Sequence, residues 1–246
     1  MTTTWRLVDD LECDLDAAGQ MAADVALLDE VAAGALPVLR LYRWSPPALS
    51  LGRFQPDDDV DVDACRRLGV EIVRRPTGGR ALLHGGDLTY AVALRPPAPS
   101  PTVDALYRFL AGGLIAGLAR LGVEAAIAHG DGPAGPVCFA TQQGADLRVG
   151  DRKLCGSAQV HRAGAVLQHG ALLVDRLAFD ETDVLASATN GDGRDRLWAG
   201  TVTLRELGAS TDARTVAHAV AGGFAAALDV QWTSLPRQPG GVAWAR

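Results

Sequence analysis

Lysine is almost absent from this sequence. Of the 23 basic residues only Lys153 is a lysine, and 29 acidic residues leave a formal net charge of −6. No arginine-rich run offsets that charge locally. Nucleic-acid binding needs a basic patch to neutralise phosphates, so the composition argues against that class of protein and predicts no nucleic-acid partner.

Long apolar runs are missing as well. Hydrophobic residues make up 48% of the chain, but charges interrupt them long before the roughly 18 residues that a membrane-spanning helix needs. The first 30 residues contain five acidic side chains between Asp9 and Asp16, the opposite of a secretory signal. We therefore expect a soluble, cytoplasmic protein with no membrane partner.

The few cysteines form neither a disulfide framework nor a zinc motif. Cys13, Cys65, Cys138 and Cys155 show no CxxC spacing, and their density is low for a domain stapled by disulfides. No spacing of histidine, cysteine and aspartate suggests a structural zinc. We expect reduced thiols, no bound metal, and one thiol as a candidate nucleophile.

Hydrophobic periodicity predicts a single α+β domain over residues 1–246, with 235–246 as a short C-terminal tail. Apolar residues recur at helical spacing from Ala18, from Pro101 after a Ser100 cap, and from about Thr211. The middle helix is expected to turn a face that begins at Val103 towards the core. Apolar runs predict strands at 38–42, 48–51, 70–74, 88–94, 146–149, 153–160 and 165–174. Without a regular βαβ repeat, mixed and largely antiparallel sheets are favoured.

A glycine pair stands at the centre of a polar segment between two predicted strands. The segment reads Arg74-Arg75-Pro76-Thr77-Gly78-Gly79-Arg80-Ala81-Leu82-Leu83-His84. Paired glycines let backbone N–H groups approach a ligand without a Cβ in the way. A tight turn between neighbouring strands is the simple alternative. The arginines before the glycines and the histidine after them concentrate polar groups there and favour a ligand site.

A second segment, Gly150-Asp151-Arg152-Lys153-Leu154-Cys155-Gly156-Ser157-Ala158-Gln159, places the lysine beside another small-residue turn. Most lysine side chains are exposed to solvent, so an exposed lysine in a turn is the simple alternative for Lys153. An ammonium fixed in a site would instead stabilise negative charge that develops on a reacting oxygen.

Together the two segments resemble the lipoate-protein ligase A and octanoyltransferase family, whose members attach an eight-carbon acyl chain to a lysine of a carrier protein. The likeness extends over most of the chain, through 21–24, 41–44, 50–55 and 223–224. The resemblance implies the α+β fold of the biotin/lipoate protein ligase catalytic domain.

The resemblance also implies the site. Lys153 matches the lysine of the family's Lys-x-x-Gly-Ser-Ala pattern, which implies that it is the catalytic lysine. The implied acyl pocket consists of Arg75, Thr77, Gly78, Gly79, Arg80, His84, Gly156, Ser157, Ala158, His169 and Gly170, with a purely structural strand histidine as the alternative for His169. Burying six or seven methylenes at about 0.8 kcal/mol each would supply roughly 5 kcal/mol of binding. One departure matters: Gly85-Gly86-Asp87 follows His84, where relatives usually have an aspartate directly after the histidine.

Two cysteines compete for the role of nucleophile. Cys138 follows a Gly/Pro-rich stretch, and one subgroup of octanoyltransferases has its acyl-accepting cysteine in a similar Cys-Phe segment upstream of the lysine. A nearby ammonium would favour the reactive thiolate. Cys155 is the rival, because alternation along a strand would put it on the face of Lys153. Cys13 and Cys65 are interpreted as structural.

The implied function is octanoyl transfer from acyl carrier protein to a lysine of a lipoyl domain or of the glycine-cleavage H protein, through a cysteine thioester and without a cofactor. One alternative is a lipoate-protein ligase that uses ATP and magnesium to form lipoyl-AMP. The other is a non-catalytic binder of lipoyl domains. The Thr-Gly-Gly-Arg sequence and the short tail after the last predicted helix favour the transferase.

Overall fold

The computed structural model describes residues 2–128, 146–186 and 193–234 of the chain. The strands of this part are β1 (Thr3–Asp10), β2 (Val38–Tyr42), β3 (Ala48–Leu51), β4 (Glu71–Arg74), β5 (Leu82–His84), β6 (Asp87–Leu94), β7 (Ala126–Ile127), β8 (Leu147–Val149), β9 (Arg152–Arg162), β10 (Ala165–Leu173) and β11 (Val230–Ser234). The helices are α1 (Ala17–Ala32), α2 (Val62–Leu68), α3 (Val103–Arg120), α4 (Gly193–Gly200) and α5 (Ala213–Leu228), with a 3-10 turn at Glu181–Asp183. The predicted tail 235–246 lies outside the described residues.

Two sheets organise these elements. The large sheet has the strand order β11-β1-β2-β6-β10-β9-β8-β7, and the small sheet has the order β4-β3-β5. β1 runs parallel to both of its neighbours and β3 runs parallel to β4, whereas the other pairs are antiparallel. The predicted α+β class with largely antiparallel sheets is confirmed.

The centre of the large sheet is covered on both faces. In β2, Leu39 and Leu41 belong to the core that α3 and α5 share, whereas Val38 and Tyr42 belong to the core under α1. Alternate side chains of a strand point to opposite faces, so a strand that is buried on both sides is hydrophobic throughout. The exception is Arg40, whose buried guanidinium is paired with Asp10 and Asp24.

The glycine segment joins different strands from those that the sequence predicted. Residues 75–81 connect β4 to β5, the two edges of the small sheet, and β3 lies between them. The strand at 88–94 belongs to the other sheet. The prediction that this loop joins neighbouring strands is therefore wrong. It missed β5, whose three residues are too few to give a periodic signal.

The start of α3 also differs from the prediction. Thr102, not Ser100, is the N-cap, and its hydroxyl accepts a hydrogen bond from the amide of Ala105. The helix begins at Val103, whose side chain is about half exposed instead of facing the core. In the first turn the inward positions begin at Leu106, which is buried. Among the described helices, none combines the length and the apolar character needed to cross a membrane.

Small residues allow α3 and α5 to cross closely. A Cβ at Gly117 would lie 2.8 Å from the Cα of Val220, and one at Gly223 would collide with the backbone of α3 at Gly117. A Cβ at Gly112, on the same helix, would meet nothing within 4 Å. The two positions therefore respond in opposite ways to the same substitution.

We predict that Gly117→Ala lowers the free energy of unfolding by about 1–3 kcal/mol, because the new methyl group forces the helix backbones apart. Gly112→Ala, the matched control, should raise it by about 0.5–1 kcal/mol through helix propensity. Denaturant titration of both variants measures the difference. Equal effects of the two substitutions would contradict this account of the helix crossing.

Candidate active site

A cavity of about 240 Å³ opens where the small sheet meets the large one. The described residues that line it come from both sheets, from α1 and α3, and from the connecting segments: Met21, Tyr42, Trp44, Ser50, Arg75, Gly78, Gly79, Leu82, His84, Thr89, Tyr107, Asp146, Lys153, Gly156, Ser157, Ala158, Gln159, His169, Gly170 and Ala171. Both motifs singled out in the sequence therefore meet at one cavity, although more than 60 residues separate them along the chain.

The glycine segment is shaped by the buried side chain of Arg75. Its guanidinium donates to the carbonyl of Gly78 at 2.9 Å, to that of Arg80 at 2.7 Å and to that of Ser50 at 2.9 Å. Gly79 has a φ of +99°, and a Cβ there would lie 2.7 Å from this guanidinium. Glycine is required at this position because an L side chain would be both strained and obstructed.

Lys153 lies at the cavity wall as one member of a buried ion pair. Its Nζ is 2.8 Å from Oδ2 of Asp146, and both side chains are at most 3% exposed. A Cβ at Gly156 would lie 3.2 Å from the Lys153 Nζ, so the glycine leaves room for the ammonium. A buried charge is tolerated when it is paired in this way. The ammonium is thus held in a fixed place as a hydrogen-bond donor.

His169 is held from both sides by buried partners. Its Nδ1 lies 2.9 Å from Oδ2 of Asp24, and its Nε2 lies 2.7 Å from the hydroxyl of Thr77 in the glycine segment. Asp24 also accepts from Arg40 at 2.9 Å and from the Tyr42 hydroxyl at 3.0 Å. Burial by itself would raise the pKa of Asp24, but the bonds and charges of His169 and Arg40 hold it below its ordinary value.

His84 faces the cavity from the opposite sheet, with Ser50 beside it and Asp87 behind it. Asp87 is buried and lies 3.0 Å from Nδ1 of His84. A carboxylate three residues after His84 thus reaches its imidazole, although a glycine follows the histidine directly. Gly85, at a φ of +132°, gives the turn that brings Asp87 back, and its amide donates to the same carboxylate at 3.0 Å.

Ten of the predicted pocket and catalytic residues line this cavity: Arg75, Gly78, Gly79, His84, Lys153, Gly156, Ser157, Ala158, His169 and Gly170. Two others do not. Thr77 is buried and supports His169, and Arg80 is exposed, with its carbonyl bound by Arg75. Cys138 lies outside the described residues.

Cys155 does not lie on the lysine's face of β9. The register between β8 and β9 slips by one residue between Lys153 and Cys155, so the strand's alternation is broken there. Cys155 packs in the core with Leu154 and is absent from the cavity lining. Burial raises the pKa of the Cys155 thiol far above its usual range, and the nearby Asp146 carboxylate is the second cause of this shift. This thiol is a poor nucleophile.

Several cavity residues were missed by the sequence analysis, above all Asp146, Ser50 and Trp44. Asp146 precedes β8, which pairs with the strand of Lys153, so an acidic residue near the start of that hairpin was an available signal. Ser50 and Trp44 lie in segments that carry the family resemblance, but nothing local shows what they contact. Among the described residues, no group of three or more histidine, cysteine or acidic side chains could hold a metal ion.

Comparisons with known proteins found related sequences. A family model described as the lipoyl protein ligase A/B catalytic domain matches residues 16–225. The chain is 45% identical to octanoyltransferase LipM of Carboxydothermus hydrogenoformans over 177 residues, 70% of this chain and 65% of that protein. It is 39% identical to octanoyltransferase LipM of Symbiobacterium thermophilum over 251 aligned positions, 95% of this chain and 89% of that protein.

The fold has solved counterparts as well. A bipartite lipoate protein ligase from Thermoplasma acidophilum, described together with its E2 lipoyl domain, superposes with a TM-score of 0.78 at 23% identity. The match covers 95% of this chain and 88% of that one. The expected ligase-type catalytic fold is thereby confirmed.

We predict that Asp24→Asn lowers the free energy of unfolding by about 3–5 kcal/mol, because Arg40 and His169 lose a buried partner charge. The folded protein holds the pKa of Asp24 below its ordinary value. The stabilisation is therefore present above the unfolded pKa of about 3.9 and is lost as the pH falls through the folded value.

Denaturant titration as a function of pH tests this prediction. The difference in the free energy of unfolding between wild type and Asp24→Asn should be largest near neutral pH and should shrink below about pH 4. Asp29→Asn is the matched control, because Asp29 lies on the same helix and makes an exposed ion pair with Arg162. Its effect should stay within about 1 kcal/mol. A pH-independent loss in Asp24→Asn would contradict a role for the Asp24 charge.

Proposed function

The chain belongs to the lipoyl protein ligase A/B catalytic-domain family, and we infer that it is an octanoyltransferase of protein lipoylation. The buried Lys153–Asp146 pair at the wall of the cavity carries this conclusion. An ammonium that is already paired and fixed can polarise an acyl carbonyl without reorganising when charge develops on the oxygen. The octanoyltransferases named above are the relatives that support this assignment.

The walls beside Lys153 suit an unbranched acyl chain. Gly156, Ala158, Gly170 and Ala171 line the cavity from β9 and β10. A Cβ at Gly170 would press on the Tyr90 ring at 2.6 Å, so this part of the wall is already closely packed. A flexible chain of methylenes gains about 0.8 kcal/mol for each group that it buries, which supplies affinity without specific polar contacts.

The nucleophile that we propose is Cys138. In the first half of the reaction its thiolate attacks the octanoyl thioester of acyl carrier protein, the carbon–sulfur bond to the carrier breaks, and the carrier thiol leaves with a proton. In the second half, the amine of an acceptor lysine attacks the enzyme thioester and forms an amide. Lys153 donates to the carbonyl oxygen in both halves. Cys155 is buried in the core and is unsuited to the role.

The acceptor is a lysine of a lipoyl-domain protein, and we propose a lipoyl domain or the glycine-cleavage H protein. The solved ligase from Thermoplasma acidophilum is described with an E2 lipoyl domain. The donor that we propose is octanoyl acyl carrier protein. A thioester donor is already activated, so this reaction uses neither ATP nor magnesium.

We predict that the purified protein transfers octanoyl from acyl carrier protein to a lipoyl domain without ATP. Without acceptor, it should gain one hydroxylamine-labile octanoyl group that peptide mapping places on Cys138. Cys138→Ser should lose the adduct and the transfer, because a serine hydroxyl does not ionise as readily. Cys155→Ser is the control and should keep both. Lipoylation that needs ATP and persists in Cys138→Ser would instead establish a lipoate ligase.

We predict that Lys153→Ala lowers the transfer rate at least about a hundredfold, the scale for loss of one preorganised donor. Lys153→Arg should fail as well, because a planar guanidinium does not fit the compact site beside Gly156. Lys153→Met combined with Asp146→Asn removes both charges together, so it should fold with little loss of stability and remain inactive. Substantial transfer by this double variant would contradict the role of Lys153.

A further inference from the structure

A hydroxyl, an imidazole and a carboxylate form a chain at the cavity wall that the reaction described so far does not use. The Oγ of Ser50 lies 2.9 Å from Nε2 of His84, and Nδ1 of His84 lies 3.0 Å from Oδ2 of Asp87. Ser50 and His84 line the cavity, whereas Asp87 is buried behind them. The three residues come from β3, β5 and β6, so the packing of the small sheet on the large one builds the array.

Asp87 determines which nitrogen of His84 carries the proton. Burial by itself would raise the pKa of Asp87, but the His84 ring, the Thr89 hydroxyl and the Gly85 amide hold it below its ordinary value. The ionised carboxylate can only accept, so Nδ1 donates to it. In the neutral imidazole Nε2 is then the acceptor, and the Ser50 hydroxyl donates to it.

The ring of His84 is also held against rotation. The Trp44 ring stacks on it, with centroids 4.3 Å apart and an interplanar angle of 19°. Trp44 Nε1 donates to the Thr89 hydroxyl at 2.8 Å, and that hydroxyl donates to Asp87 at 2.6 Å. One network therefore fixes both the orientation of the imidazole and its tautomer.

The other polar groups at the cavity are less suited to accept a proton. Lys153 is an ammonium paired with Asp146, which makes it a donor. The Nε2 of His169 is occupied by the hydroxyl of Thr77, and Thr77 is not among the described residues that line the cavity. For His84 the bridging hydroxyl itself faces the cavity.

We propose that His84, acting through the Ser50 hydroxyl, is the base that takes a proton from the acceptor lysine during octanoyl transfer. This proposal rests on the proposed function. The lysine ammonium first releases one proton to solvent, because a free amine is needed for attack. The carbon–nitrogen bond then forms, and the carbon–sulfur bond breaks with its electron pair on sulfur.

The second proton of the amine has a defined route in this scheme. It passes to the Ser50 oxygen as the Ser50 proton moves to His84 Nε2, and His84 then protonates the departing thiolate. The products are an amide and a free thiol, so atoms and charges balance without a further reactant. Asp87 stabilises the transient imidazolium and acts as a positioning residue.

The test compares two acceptors in single-turnover experiments on the full chain. Octanoyl acyl carrier protein is the donor, and the acceptor is either the lysine of a lipoyl domain or hydroxylamine, which is uncharged at neutral pH and attacks without a base. We predict that His84→Gln and Asp87→Asn lower lysine transfer by about 10²–10⁴-fold. Enzyme-dependent cleavage by hydroxylamine should remain close to wild type. His218→Gln, at an exposed position on α5, is the matched control and should leave both rates unchanged.

Chemical rescue separates a proton acceptor from a structural residue. In His84→Gly, added imidazole should restore lysine transfer by about tenfold or more, since it can replace the missing base. Equal losses with both acceptors together with no rescue by imidazole would overturn the proposal, as would unimpaired lysine transfer in His84→Gln. Failure of the wild-type protein to move octanoyl to either acceptor would instead overturn the proposed function, and this inference with it.

Discussion

The carboxylate of Asp24 holds together the parts of the molecule that surround the cavity. It is fully buried and bound by Arg40, Tyr42 and His169. These bonds tie α1 to β2 and β10, and the bond from His169 to Thr77 extends the connection to the glycine segment. A buried charge is tolerated only with such partners. The packing of α1 and the shape of the cavity therefore depend on the same interaction.

Charge around the cavity is fixed by the protein itself. Lys153 is paired with Asp146, His84 is paired with Asp87, and Arg75 is bound to backbone carbonyls of the glycine segment. Groups held in this way need no reorganisation when charge develops on a reacting atom, which is the physical basis of electrostatic catalysis. The small residues between them leave room for an apolar chain. The proposed octanoyl transfer needs such a cavity, which would bind methylenes along its walls and polarise the carbonyl at one end.

Much of the fold could be predicted because alternation and helical spacing are properties of neighbouring residues. The predictions fail where the local sequence carries no signal, or where two positions carry the same signal. β5 has three residues and shows no period. Ser100 and Thr102 are both suitable caps, and the helix uses the second. The parallel pairing of β3 with β4 depends on a connection through α2, which the strand pattern does not encode.

The site shows the same limit. A glycine pair and a single lysine can be recognised from the local sequence, whereas a partner residue on another strand cannot. Alternation places Cys155 beside Lys153, but the register slip between them turns the thiol into the core. The departure after His84 shows the converse. Gly85 and Gly86 bring Asp87 back to the imidazole, so a carboxylate reaches His84 although none follows it directly in sequence. The chemistry of this wall thus depends on which atom reaches Nδ1 of the histidine, and less on where in the motif the aspartate stands.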